Sequence, residues 1–254
     1  GKEAFELRLW DARIGRWLTT DPAGEFYSPY LGMGNMPTVA VDPDGGDIII
    51  LTDSEAVGGL GHAAVLIGND KDGWRYISNN GTGDGSSPWG SAKNADLGNI
   101  PYDPATKTGN DFRGTGLTAN EIIALVQKSN TKEHHNYDKA IRITTTSQED
   151  IAAYKAATTQ ADRKTYGICG PGSSCIDPPQ SALRGALEHR LGKELSWYRY
   201  LDFGFDELTP NVWFHRLRLQ PGTYFNDMNN YLRKQNKNIL VVGDLIEIGK
   251  ENGN

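Results

Sequence analysis

A chain of 254 residues, 37% of them apolar, can bury a real core as one large domain or two smaller ones. Its formal net charge of −6, with no Lys/Arg cluster, leaves little for a phosphate-tracking surface and argues against nucleic acid as a substrate. No apolar run approaches the roughly 20 residues that cross a bilayer, and two cysteines are too few for a disulfide framework.

The opening GKEAFELRLW has no apolar signal-peptide region and reads as the inside of a longer chain. Residues 1 to 46, dense in aromatics, Pro and Gly and without helical period, predict short strands and tight turns. From Asp47 the texture changes. DIIILT predicts a buried strand, and HAAVLIG, NDKDG and WRYIS predict a hairpin whose loop carries Asn, Asp and Gly. Residues 79 to 116, rich in Gly, Ser and Asn, predict a long loop of the kind that forms a lid or mobile surface segment.

LTANEIIALVQKSN predicts a helix with Thr118 and Glu121 spaced as a capping box, and KAIRITT a strand after it. SQEDIAAYKAATTQADRKT predicts a second helix, with Ser147 and Asp150 at its cap. In YGICGPGSSCIDPPQSALRGALEHRLGK a Gly/Pro/Ser loop runs into a third helix. Asp177 is its expected N-cap, and Pro178 and Pro179 suit a first turn where a missing N–H costs nothing. The tail predicts a strand at VWFHRLRL, a helix from Thr223 to about Gln235 and a strand within NILVVGDLIEIG. There is no repeat at solenoid spacing.

Cys175 is thus expected at a helix N-terminus, where the helix dipole and a neighbouring imidazole lower a thiol pKa from about 8.5 toward roughly 3.5 to 7.5. His62, on the first strand of the hairpin, is a candidate for that imidazole and for the general base of acyl transfer. The competing reading makes Cys175 a small buried hydrophobe and His62 a structural residue. Cys169, six positions before Cys175, is either a packing residue or a redox lock that would silence the nucleophile. His134 and His135 have no further His or Cys at ligand spacing, and His189 and His215 read as surface or strand residues, so no metal and no cofactor is expected.

The run GHAAVLIGNDKDGW, with Tyr166 downstream and Ser-Cys-Ile-Asp before an Ala/Leu helix, resembles the circularly permuted papain-like (NlpC-type) cysteine peptidase domains. In that family the histidine strand precedes the cysteine helix in the chain, as His62 precedes Cys175. The resemblance spans roughly residues 47 to 190 and leaves 191 to 254 as a C-terminal extension. It implies an α+β fold, an antiparallel sheet packed on helices, with Cys175 as nucleophile and His62 as base. It also implies a third polar group from the strand after the histidine, where period two puts Ser78 and Asn80 on one face. Such domains often carry Asn-Cys-Ala-Asp before a continuous helix. Here Ser174, Cys175, Ile176 and Asp177 precede two prolines, a departure at the helix start that supplies part of the oxyanion hole.

Upstream, DPAG at 21–24 and DPDG at 42–45 are first of all turn signals. Their setting, RLWDARIGRWLTTDPAGEFYSPYLGMGNMPTVAVDPDG, closely resembles the end of the core of Rhs/YD-repeat proteins over about residues 5 to 46. That resemblance implies a β-shell enclosing a variable C-terminal toxin, with Asp21 and Asp42 acting in aspartyl-type self-cleavage. Two carboxylates brought together share one proton and activate water against a nearby peptide bond. The cut is expected shortly after DPDGG, freeing a domain that starts near Asp47.

Together the resemblances imply a secreted or cell-delivered Rhs effector, antibacterial or anti-host, whose tip is a Cys-His hydrolase of peptide, peptidoglycan amide or ester bonds. The parent Rhs shell and a cognate immunity protein are the implied partners. A deamidase or acyltransferase would use the same pair. A non-catalytic binding or plug module is the alternative from another class, and a nuclease tip would need a His/Asp/Glu set not seen here.

Overall fold

A computed structural model describes residues 2–5, 8–11, 16–17, 46–81, 93–127, 135–163, 166–167, 173–217 and 222–248. Of the first three stretches, and of 93–94 and 244–247, it describes the backbone alone. Asp21, Asp42, His134 and Cys169 lie outside the described residues.

The N-terminal strip contains the short strands its composition predicts. Lys2–Phe5 (β1), Arg8–Asp11 (β2) and Arg16–Trp17 (β3) form a three-stranded antiparallel sheet in the order β1-β2-β3.

The described residues after it are α+β: a six-stranded antiparallel sheet with seven helices. Its strands are β4 (Gly46–Asp53), β5 (His62–Asn69), β6 (Gly73–Gly81), β7 (Lys93–Leu97), β8 (Lys139–Thr145) and β9 (Val241–Glu247), in the order β7-β6-β5-β4-β8-β9. The helices are α1 (Ala56–Gly59), α2 (Ala119–Gln127), α3 (Ser147–Ala161), α4 (Asp177–Leu191), α5 (Trp197–Asp202), α6 (Pro210–Arg216) and α7 (Tyr224–Lys234).

β4 reads as an unbroken apolar run because it is buried along its whole length, with elements over both faces. Ile48 and Ile50 join Val65, Ile67, Ile77, Ile141 and Ile143 on the face that packs α3, α4 and the C-terminal helices. Ile49 and Leu51 join Ala64, Leu66, Trp74 and Tyr76 on the other face, against α2, Phe112 and Tyr137. Alternation by twos thus assigns each strand residue to one of two cores.

The β5–β6 hairpin closes as the Asn/Asp/Gly loop predicts. Asn69 Oδ1 accepts from the N–H groups of Lys71 and Asp72, and Gly73 has φ of 93°. A Cβ at Gly73 would stand 2.5 Å from Arg113 Cα, so this position also needs glycine for space.

α3 and α4 lie close because their contact is built from small residues. Ala153, Ala157 and Ala161 are fully buried, and a Cβ on Gly185 would fall 2.8 Å from the Ala152 carbonyl oxygen. Arg190 of α4 clamps the start of α3 with two bonds to Glu149, at 2.7 and 2.6 Å, and a third to the Ile239 carbonyl at 2.7 Å.

Four expectations are revised. Of VWFHRLRL, Val212 to Arg216 lie in α6: Pro210 sits in its first turn, and Pro210, Trp213, Phe214 and Leu217 are buried at spacings of three and four, a helical face rather than a strand one. The α3 cap is one residue earlier than Ser147 and Asp150, with Thr146 and Glu149 making the reciprocal capping box. The N-cap of α4 is Ile176, and Asp177 is its first helical residue. Within 79 to 116, of which 82–92 lie outside the described residues, β6 runs on to Gly81 and β7 pairs with it, while bridges such as Pro101 to Asp111 tether the segment after β7.

Candidate active site

Three consecutive residues of β6, Ser78, Asn79 and Asn80, hold the candidate site together. Strand alternation sends Ser78 and Asn80 to one face and Asn79 to the other. All three are buried.

On the first face, Ser78 Oγ lies 3.1 Å from His62 Nε2, which makes Ser78 the polar group that orients the ring. Asn80 does not reach His62. Its Oδ1 lies 2.8 Å from Nε2 of His135, and His135 is stacked flat on His62, with ring centroids 3.5 Å apart and planes 2° from parallel. His135 Nδ1 faces Asp53 Oδ2 at 3.6 Å. Asp53 ends β4, and its carboxylate collects the backbone N–H groups of Glu55, Ala56 and Asn136. Burial raises the Asp53 pKa, but His135 and these N–H donors outweigh it and hold the carboxyl below its ordinary range.

His62 is only 2% exposed. Burial first, then the neighbouring His135, push its pKa well below the ordinary value, against an opposing pull from Asp53. Beneath the two rings, the hydroxyls of Tyr76 and Tyr137 share a 2.5 Å hydrogen bond, and burial raises both phenols, which keeps them neutral.

On the second face, the Asn79 amide nitrogen lies 2.9 Å from the Ser173 carbonyl, 3.1 Å from Ser173 Oγ and 3.0 Å from the Ser174 carbonyl. Asp177 draws the same loop onto α4, its Oδ2 accepting from Ser174 N–H at 2.5 Å and Ser174 Oγ at 2.8 Å. Cys175 follows as a free thiol, 5% exposed, immediately ahead of α4. Burial raises its pKa, and the Ala63 N–H and Tyr166 hydroxyl only partly offset this. The thiol at rest is therefore neutral, where the helix start alone predicts a lowered pKa: desolvation outweighs the dipole.

Cys175 and His62 flank the start of β5 from different sides: the thiol is beside the Ala63 backbone N–H and its loop is held by Asn79, while His62 lies with Ser78 on the other face. Among the described residues no hydrogen bond joins the thiol to the imidazole. The His62 Nδ1 atom has no hydrogen bond there either.

His135 and Asn79 are the site residues that sequence reasoning missed. Asn79 was reachable by extending the period-two rule to the other face of SNN. His135 has no sequence signal, because the order β5-β4-β8 carries it to His62 from 73 positions away. Among the described residues no group of His, Cys, Asp and Glu is arranged to hold a metal ion. Comparison of the chain with protein-family models, curated proteins and solved structures finds no match.

Proposed function

We propose that residues from Asp47 onward form a permuted papain-like Cys-His hydrolase, the tip of an Rhs-type effector. The observation that carries this reading is the Ser78-Asn79-Asn80 strand, which fixes the Cys175 loop through one residue and the His62 imidazole through its neighbour. An acyl-transfer site needs that coupling: a nucleophile at a helix start and a base on the adjoining strand, held in one frame.

In this reading the Cys175 sulfur attacks an amide or ester carbonyl carbon as its proton passes to His62 Nδ1. His62 then protonates the leaving amine or alcohol, and water, deprotonated by the same imidazole, releases the acyl group from the thioester. The Cys175 backbone N–H and the Tyr166 hydroxyl beside it are the donors available to the oxyanion. Peptide, peptidoglycan and ester bonds all fit this chemistry, as do deamidation and acyl transfer.

Expression of the 254-residue chain in bacterial cytoplasm and in periplasm, wild type against Cys175→Ala, tests the reading. Toxicity in one compartment that disappears in the variant supports it, and toxicity that survives Cys175→Ala contradicts it. Release from the parent by Asp21 and Asp42 is the second part of the proposal. Mass spectrometry of a parent with its shell is expected to find a fragment beginning near Asp47, lost in Asp42→Asn. Intact parent in both proteins contradicts release. A cut ahead of Asp47 would remove only Gly46 from β4 and would keep the Asp47–Arg142 pair to β8.

A second reading keeps Cys175 structural and the domain a binding or plug module with no chemistry. The 5% exposure of Cys175 and the lack of a thiol–imidazole hydrogen bond favour it.

A further inference from the structure

The hydrolase reading uses one imidazole, yet the site contains two. The hydrogen-bonding groups around them are unequal. His135 Nε2 faces Asn80 Oδ1 at 2.8 Å, and an amide oxygen only accepts, so this nitrogen carries a hydrogen. His135 Nδ1 faces the Asp53 carboxylate, another acceptor, at 3.6 Å. A ring with acceptors at both nitrogens is in the surroundings of an imidazolium. His62 Nε2 instead faces the Ser78 hydroxyl, which gives or accepts a hydrogen bond equally well.

Two parallel rings with centroids 3.5 Å apart cannot easily both be charged, so the pair holds one proton at a time. We propose that His135 is a positioning residue: cradled by Asp53 and Asn80 and stacked on His62, it holds that imidazole flat and takes the single proton of the pair at rest, so that His62 picks up the thiol proton only as His135 gives its own to the Asp53 carboxylate. The purpose rests on the Cys-His reading; the proton sharing does not.

The other titratable groups leave this order intact. Asp53 of β4 faces His135 and is held ionised. Tyr76 of β6 and Tyr137, ahead of β8, are buried neutral phenols, and Asp96 of β7, behind Tyr76, is raised by burial. From the α4 side come Cys175, a neutral thiol, and Asp177, which is bonded to Ser174.

Histidine-ring NMR of the full chain across pH tests this. In the wild type His62 is expected to stay neutral. In His135→Phe, which keeps a stacked ring without the charge, His62 is expected to gain about tenfold in proton affinity, one pH unit. If that variant does not fold, His135→Gln serves, since it keeps a donor toward Asn80 and removes the ring charge, with the same gain expected at His62. Protonation of His62 near the ordinary histidine value in the wild type overturns the proposal, as does an unmoved His62 in a folded variant. Coupled titration together with a Cys175 inert to alkylation supports the proton sharing and counts against the hydrolase reading alone.

Discussion

The Asn79 side-chain amide lies 3.0 Å from the carbonyl oxygen of Ser174, the residue before Cys175, while its neighbour Ser78 faces His62 on the opposite side of the same strand. Removing that amide takes the donor from Ser173 Oγ and the Ser174 carbonyl and leaves the Ser173 carbonyl only a 3.4 Å bond from the Gly167 N–H. Asn79→Ala is expected to cost about 1 to 3 kcal/mol and to loosen the loop around Cys175. Urea denaturation reads the first effect, and an unchanged midpoint with unchanged m-value contradicts it.

The pH dependence of stability follows from three groups. His62 is lowered from 6.5, so its contribution is present above that value and is lost as pH falls below it, when the unfolded chain takes up a proton that the folded one refuses. Asp53 is lowered from 3.8, and its contribution is lost further into acid. Cys175 is raised from 9.0, so its contribution is present below 9 and is lost as pH rises past it. Thermal melts are expected to fall on both sides of a neutral plateau, with the alkaline decline reduced in Cys175→Ala. An alkaline limb that the variant leaves untouched contradicts a desolvated thiol.

The Glu149 to Arg190 pair carries a stability prediction of its own. Both side chains are largely buried, at 5% and 11% exposure, and Glu149 also closes the α3 capping box. Glu149→Ala leaves the Arg190 charge buried without its partner, for which about 3 to 5 kcal/mol is expected. A loss under about 1 kcal/mol in chemical denaturation would place the pair with ordinary surface ion pairs.

Much of this architecture is legible in the sequence because apolar periodicity and turn chemistry act locally. DIIILT, the Asn69 to Gly73 turn and the Thr118/Glu121 cap all form where their residues predict. The Thr146 cap was displaced by one residue because Thr146/Glu149 and Ser147/Asp150 fit the same spacing, and local spacing alone does not choose between them. VWFHRLRL misleads because its aromatics suit a strand, whereas Trp213, Phe214 and Leu217 pack as one helical face. Of the site, period two puts Ser78 and Asn80 on the His62 face, but register sets Ser78 opposite Ala64, so the diagonal His62–Ser78 contact is not itself legible. The His135 stack and the thiol's desolvation depend on strand order and on what covers the sheet, and neither leaves a local pattern.

The most direct test of the Cys-His reading is alkylation of the folded, reduced chain with iodoacetamide near neutral pH, followed at Cys175 by peptide mass spectrometry. Cys175, neutral and buried at rest, is expected to be modified only with the help of His62, and about a hundredfold more slowly in His62→Ala, where the general base is gone. An unreactive Cys175, or one whose rate is the same in both proteins, contradicts it.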